Sequence, residues 1–175
     1  VCGFLTPDEG DPTPIKNNRI ESLMELIEET SGKIIIWGYW VKNIELIEQA
    51  LGKKYGLDSV ASYQGKTPQD ERQEIIARFQ DVKSPLRFFI GQPSTGGYGI
   101  TLTAATTVIY YSNSYNLEHR LQSEDRAHRI GQDSSVTYVD LVSPGTVDEK
   151  IIKALHDKRN IAQTVLGEEL DQWLN

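Results

Sequence analysis

Lys33-Ile34-Ile35-Ile36-Trp37 is a short apolar run that ends at Gly38. A strand with one wet face alternates apolar and polar residues. This one does not, so it reads as a central parallel strand buried on both faces. Upstream, Ile20, Leu23, Met24 and Ile27 recur at helical spacing, and Ser31-Gly32 stops that helix. Downstream, Val41, Ile44, Ile47 and Leu51 mark a second amphipathic helix. Residues 59–63 read as a strand. Thr67, as cap, and Pro68, at the first turn, open a helix to about Phe79, with Ile75, Ile76 and Phe79 inward. Residues 86–90, 107–111 and 136–141 are three more strands. Asn116 can cap the helix between the last two. Thr146 with Glu149 forms a capping box for a helix to about Gln163, and Gly167 precedes a short acidic end helix. Strands alternating with helices specify an α/β fold, a parallel β-sheet with helices on both faces. Residues 1–16, with Pro7, Gly10, Pro12 and Pro14, read as a linker or the tail of a preceding segment, which leaves 17–175 as one domain.

Composition narrows the function classes. The 175 residues suffice for one domain with a sizeable core, and 38% hydrophobic with 25% charged residues is ordinary for a globular protein. No apolar run approaches the ~20 residues of a membrane span. Cys2 is the one cysteine, so no internal disulfide forms and a reducing, intracellular setting is expected. No Cys/His cluster has zinc spacing. Val1 in place of Met suggests an excised piece. The net charge of -7 argues against a surface built wholly for nucleic acid. A local patch with backbone N–H groups would still bind phosphates, so weak duplex binding is expected.

The chemistry concentrates in Gln122-Ser123-Glu124-Asp125-Arg126-Ala127-His128-Arg129-Ile130-Gly131-Gln132. Arg126 and Arg129 are three apart, hence neighbours on one helix face, with Gln122 one turn earlier and Gly131-Gln132 closing the helix. Paired guanidiniums can fork onto the oxygens of a transferring phosphoryl group.

This string resembles the sixth motif of the Swi/Snf-type helicase-like ATPases of superfamily two. Lys33–Trp37 resembles their fourth motif. Gln64-Gly65-Lys66-Thr67, with Glu71-Arg72-Gln73-Glu74-Ile75 and Arg78-Phe79, is similar to the segment after it. Gly96-Gly97-Tyr98-Gly99-Ile100-Thr101 resembles the fifth motif, and Thr146–Ile152 the helix start after the sixth. The motifs lie in family order from about residue 19 onward. Departures are Gln92–Thr95 before the glycines, Thr101 where the family has Asn, and Tyr115-Asn116-Leu117 where it has Trp-Asn-Pro.

The resemblance implies a RecA-like C-terminal lobe. Arg126 and Arg129 would be its catalytic arginines, reaching ATP held with Mg2+ on an N-terminal RecA-like lobe of the same polypeptide. Gln122, Gly97 and Gly99 would stand on the nucleotide side. Gly65, Lys66 and Thr95 would form part of a double-stranded DNA track, with Gly38-Tyr39-Trp40 as a wall beside it. No residue is expected to hold a metal. Gly65-Lys66-Thr67 imitates a Walker A loop, but a P-loop needs Gly where Val60 stands. With neither that lysine nor a magnesium carboxylate after a strand, the chain alone is expected to be an inactive monomer. A strand-separating DNA or RNA helicase lobe and a non-catalytic α/β binding module remain the alternatives.

Overall fold

The computed structural model of the chain describes residues 4–5, 13–15, 17–95, 100–128 and 135–174. A two-stranded antiparallel ladder, β1 (Phe4–Leu5) with β2 (Thr13–Pro14), lies in the segment read as a linker. After it come α1 (Arg19–Glu29), β3 (Lys33–Trp37), α2 (Val41–Tyr55), β4 (Val60–Tyr63), α3 (Gln69–Gln80), β5 (Phe88–Gly91), β6 (Ala105–Tyr110), α4 (Leu117–Ala127), β7 (Thr137–Asp140) and α5 (Val147–Leu174).

The five later strands form one sheet in the order β4-β5-β3-β6-β7, and every pairing is parallel. The Ile-rich run is its central strand, and the period of two divides its side chains between two apolar layers. Ile34 and Ile36 pack with Leu23 and Ile27 of α1 and with Ile44, Ile47 and Leu51 of α2. Ile35 and Trp37 pack with Ile75 and Phe79 of α3 and Ala127 of α4. The expected α/β fold, with a parallel sheet and helices on both faces, is what forms. Gly32 ends the turn before β3 at φ 81°, where a side chain is strained, and a Cβ there would stand 2.6 Å from Thr106 Oγ1.

Four local expectations need correction. Thr67 does not cap α3: its Oγ1 accepts from the Gln64 N–H at 3.0 Å, and the helix begins at Gln69 with Pro68 at the cap position. The hydroxyl closes its own loop instead, and Pro68 stands between it and the first helical residue. At α5, Thr146 Oγ1 does accept an amide, that of Asp148 at 3.2 Å. Among the described residues no carboxylate returns to the Thr146 N–H, so the box with Glu149 does not form; Asp148 instead accepts from the Ser143 N–H at 3.1 Å. α5 continues through Gly167 to Leu174. One glycine costs a helix only ~1 kcal/mol, which flanking Leu, Glu and Gln residues offset. Finally, α4 ends at Ala127, with His128 extended at φ -120° and ψ 123°, before the Gly131-Gln132 pair expected to close it.

Candidate functional site

All five strands of the parallel sheet point their carboxyl ends the same way, and in open α/β sheets that edge collects ligands. Arg126 lies there. It sits in the last turn of α4, its carbonyl takes the Leu102 N–H at 2.8 Å, and its residue is only 6% exposed. The guanidinium carbon stands 5.5 Å from the ring centroid of Trp37, the last residue of β3. Burial pulls its pKa below the ordinary arginine value, and the phenols of Tyr63 and Tyr110, the last residues of β4 and β6, act in the opposite sense. A guanidinium holds its proton throughout. A fixed positive charge therefore lies over the last residue of the central strand, within electrostatic reach of the last residues of β4 and β6. The Trp37 Nε1–H beside it is buried with no acceptor among the described residues.

Gln122 does not share this environment. It is exposed, and its Nε2 donates to Glu118 Oε1 at 2.8 Å, one turn back on the same helix. The buried stripe of α4 is Ser123, Arg126 and Ala127. Gln122 lies one turn before Arg126 on the same helix, exposed where Arg126 is buried. Arg129, Gly97 and Gly99 lie outside the described residues.

Three loops build the rest of this edge. After β3, the Gly38 N–H donates to the Gly91 carbonyl at 2.9 Å and the Tyr39 N–H to Ser112 Oγ at 2.8 Å. Tyr39 and Trp40 pack edge to face at 5.0 Å and remain 38% and 47% exposed. After β5, Gln92 ties two loops together. Its Nε2 donates to the Tyr39 carbonyl at 2.9 Å, while Thr95 donates to Gln92 through its N–H at 3.1 Å and its Oγ1 at 3.0 Å. Thr95 thus stands beside the aromatic pair on a braced turn. After β4, Gly65 and Lys66 are both exposed, and a Cβ on Gly65 would meet nothing within 4 Å. Lys66 Nζ lies 3.8 Å from Glu45 Oε1, and Lys42 Nζ takes the other oxygen at 3.1 Å. Exposed pairs of this kind contribute little, ~0–1 kcal/mol.

Sequence reasoning gave no role to two arginines that organise this edge. Arg72 is the fourth residue of α3, and Arg120 the fourth of α4. A cation near a helix N-terminus opposes the macrodipole unless it finds acceptors, and that misplacement was the available signal. Arg120 forks onto both Asp140 oxygens, at 2.5 and 3.0 Å, reaches Glu124 Oε1 at 2.6 Å, and lies 3.5 Å over the Tyr110 ring. Burial acts to lower its pKa, but Asp140, Tyr110 and Glu124 more than offset this and hold it above the ordinary value. Burial also pushes the Tyr110 hydroxyl well up, where it pairs with Ser123 Oγ at 2.7 Å. Glu124 in turn accepts from Arg159 of α5. This chain of contacts fixes α4, and with it Arg126, against β7 and α5. Among the described residues no three His, Cys, Asp or Glu side chains converge as a metal site would require.

A profile of the helicase conserved C-terminal domain matches residues 18–131. The chromatin-remodeling ATPase INO80 of Cryptococcus neoformans is 32% identical over 150 residues, which is 85% of this chain and 8% of that protein. The ATP-dependent DNA helicase DDM1 of Arabidopsis thaliana is 31% identical over 149 residues, 85% of this chain and 19% of that protein. The chain therefore spans under a fifth of the length of these curated relatives. Among solved structures, the C-terminal part of the Fun30 ATPase domain superposes with a TM-score of 0.69 at 29% identity, covering 78% of this chain and 44% of that one. The Sulfolobus solfataricus SWI2/SNF2 ATPase core in complex with double-stranded DNA gives 0.65 at 32% identity, covering 82% and 30%.

Proposed function

This chain belongs to the helicase conserved C-terminal domain family, on its Swi/Snf side, and from that premise we propose that it is the second motor lobe of an ATP-dependent double-stranded DNA translocase. The observation that carries the proposal is Arg126, a buried guanidinium at the carboxyl edge of the sheet, 5.5 Å from the ring centroid of Trp37. Magnesium-bound ATP would supply the phosphoryl group. The residues present fit one side of it only, because the sequence has arginines but neither a Walker A lysine nor a metal carboxylate after a strand. In this reading Arg126 and Arg129 complement charge on phosphates held by a first lobe. A low-dielectric setting makes that complement stronger than it would be in water. Gln122, Gly97 and Gly99 stand on the nucleotide side of the interface. Gly65, Lys66 and Thr95, braced by Gln92, form part of the duplex track beside Tyr39 and Trp40. The double-stranded DNA of the Sulfolobus complex supports a duplex as the track.

The test is ATP turnover in the natural two-lobe protein. Arg129→Ala should lower kcat about 10³-fold or more with folding and duplex binding retained, in line with the worth of arginine fingers elsewhere. Arg129→Lys should not rescue, since a lysine lacks the planar fork. A near-normal rate in a folded Arg129→Ala protein refutes the finger role. The 175-residue chain alone should hydrolyse no ATP.

A further inference from the structure

The loop after β4 turns its carbonyls inward, and one side chain collects them. Arg72 Nε donates to the Thr67 carbonyl at 2.8 Å, and its Nη2 donates to the carbonyls of Gln64 at 3.1 Å and Gly65 at 2.8 Å. The Thr67 N–H adds a fourth inward contact, to the Gln64 carbonyl at 3.0 Å. The guanidinium carbon lies 5.3 Å from the ring centroid of Tyr63, the last residue of β4. A peptide unit whose C=O points one way presents its N–H the other way. The N–H groups of Gly65 and Lys66 are on exposed residues and have no acceptor among the described residues.

We propose that Arg72 is the positioning residue of this part of the track: by gathering the carbonyls of Gln64, Gly65 and Thr67 it aims the Gly65 and Lys66 amides at a duplex phosphate. The inference rests on the duplex-track reading above. Arg72 touches no phosphate itself. Its charge is spent on carbonyls and on Tyr63, and Lys66, 71% exposed, supplies the cation that meets the backbone. A lysine at position 72 has one nitrogen at the end of a flexible stem and cannot reproduce the planar fork that sets Nε on the Thr67 carbonyl and Nη2 on those of Gln64 and Gly65. Asp70 and Glu71 lie in the same first turn of α3, so the patch is selective for the backbone only where the amides and Lys66 reach it together.

The two possible roles of Arg72 separate in salt. Each phosphate neutralised by a cation contributes about -0.9 to the slope of log K against log salt, whereas neutral amides contribute affinity without slope. The experiment titrates a short mixed-sequence duplex into the 15N-labelled chain at several salt concentrations, reading amide shifts and affinity. In the wild type the Gly65 and Lys66 resonances should move. Arg72→Ala and Arg72→Lys should both weaken binding about tenfold with the slope unchanged, and the Gly65 and Lys66 shifts should vanish. Lys66→Ala should reduce the slope by about 0.9 while Gly65 still responds. Should Arg72→Ala fail to fold, Arg72→Lys carries the comparison. Unaltered affinity and unaltered Gly65 shifts in folded Arg72 variants overturn the inference alone. A slope reduced by about 0.9 in Arg72→Ala also overturns it, by making Arg72 a direct phosphate contact. A wild type whose Gly65 and Lys66 amides ignore the duplex removes the duplex-track reading and this inference together.

Discussion

Removing the Arg120 side chain should cost this lobe about 3 kcal/mol, because the side chain does two jobs at a desolvated point. Side-chain exposures are 13% for Arg120, 24% for Asp140 and 18% for Glu124, so the ions are largely out of water. In Arg120→Ala, Asp140 keeps, among the described residues, the Asn113 amide at 2.7 Å, and Glu124 keeps Arg159. Stranding a buried partner costs ~3–5 kcal/mol. Residual solvent at Asp140 and the surviving Arg159 contact put this case at the low end. For a domain of this size ~1 kcal/mol moves Tm by about 2–4 °C, so the melt should fall by about 6–12 °C. Arg120→Lys should recover less than half, since it restores one charge without the fork onto Asp140. A double-mutant cycle with Asp140→Asn isolates the pair and should give a coupling of at least ~1.5 kcal/mol. The assay is thermal and urea unfolding at low and high salt. A melt within about 2 °C of wild type for Arg120→Ala, or a coupling near zero, would refute the claim that this network fixes α4.

Gly91→Ala should destabilise by about 1–3 kcal/mol in urea unfolding, because its Cβ would stand 3.0 Å from Trp37 Cζ3 and 3.1 Å from the Tyr63 carbonyl, a backbone atom that cannot rotate away. Burial works to raise the Asp148 carboxyl, but the Ser143 N–H and the Arg19 guanidinium hold it below its ordinary 3.8. Its stabilisation is therefore complete above that value and lost as pH falls through the depressed folded value. Asp148→Asn should lower stability near neutral pH and flatten the acid limb of an unfolding-versus-pH curve, and an unchanged acid limb counts against the linkage. Glu45→Gln should release Lys42 and Lys66 and tighten duplex binding a few-fold at low salt, an effect that fades by ~0.2 M, where screening is strong. Equal affinities at low salt would show that Glu45 does not compete with DNA.

The strand order was not written in any one segment, yet the presence of the sheet was. Four consecutive apolar residues at Ile34–Trp37 could only be a strand wet on neither side, and Leu23, Ile27, Ile44 and Ile47 announced the helices that cover one face. Local capping was legible where one residue acts alone: Asn116 Oδ1 takes the His119 N–H at 3.1 Å as expected. It failed where a hydroxyl had a choice. Thr67 could serve its own loop or the helix, and propensity does not weigh a tertiary return against a cap. The site was legible as types of residue, not as environments. Arg126 reads as a surface arginine in any helical projection, and only the fold sets it over Trp37, within electrostatic reach of Tyr63 and Tyr110. Arg72 and Arg120 were passed over because their partners, a ring of carbonyls and Asp140, are set by the fold.

One guanidinium near the start of the domain also constrains the order in which a ribosome can finish it. Arg19 donates to the Tyr111 carbonyl, to the Leu141 carbonyl at 3.2 Å, to Ser143 Oγ at 2.8 Å and to Asp148, whose position is 129 residues later in the chain. At ~5–20 residues per second of synthesis, Arg19 emerges roughly 6 to 26 s before its carboxylate partner exists. Through that interval α1 can pair its apolar face with the early strands, but its cation has nowhere dry to go. The Ile-rich strand likewise waits for β6 to occupy its second edge. The nascent domain therefore lacks the carboxylate for Arg19 until residue 148 is translated, and the seat of that one charge closes only when the last helix arrives.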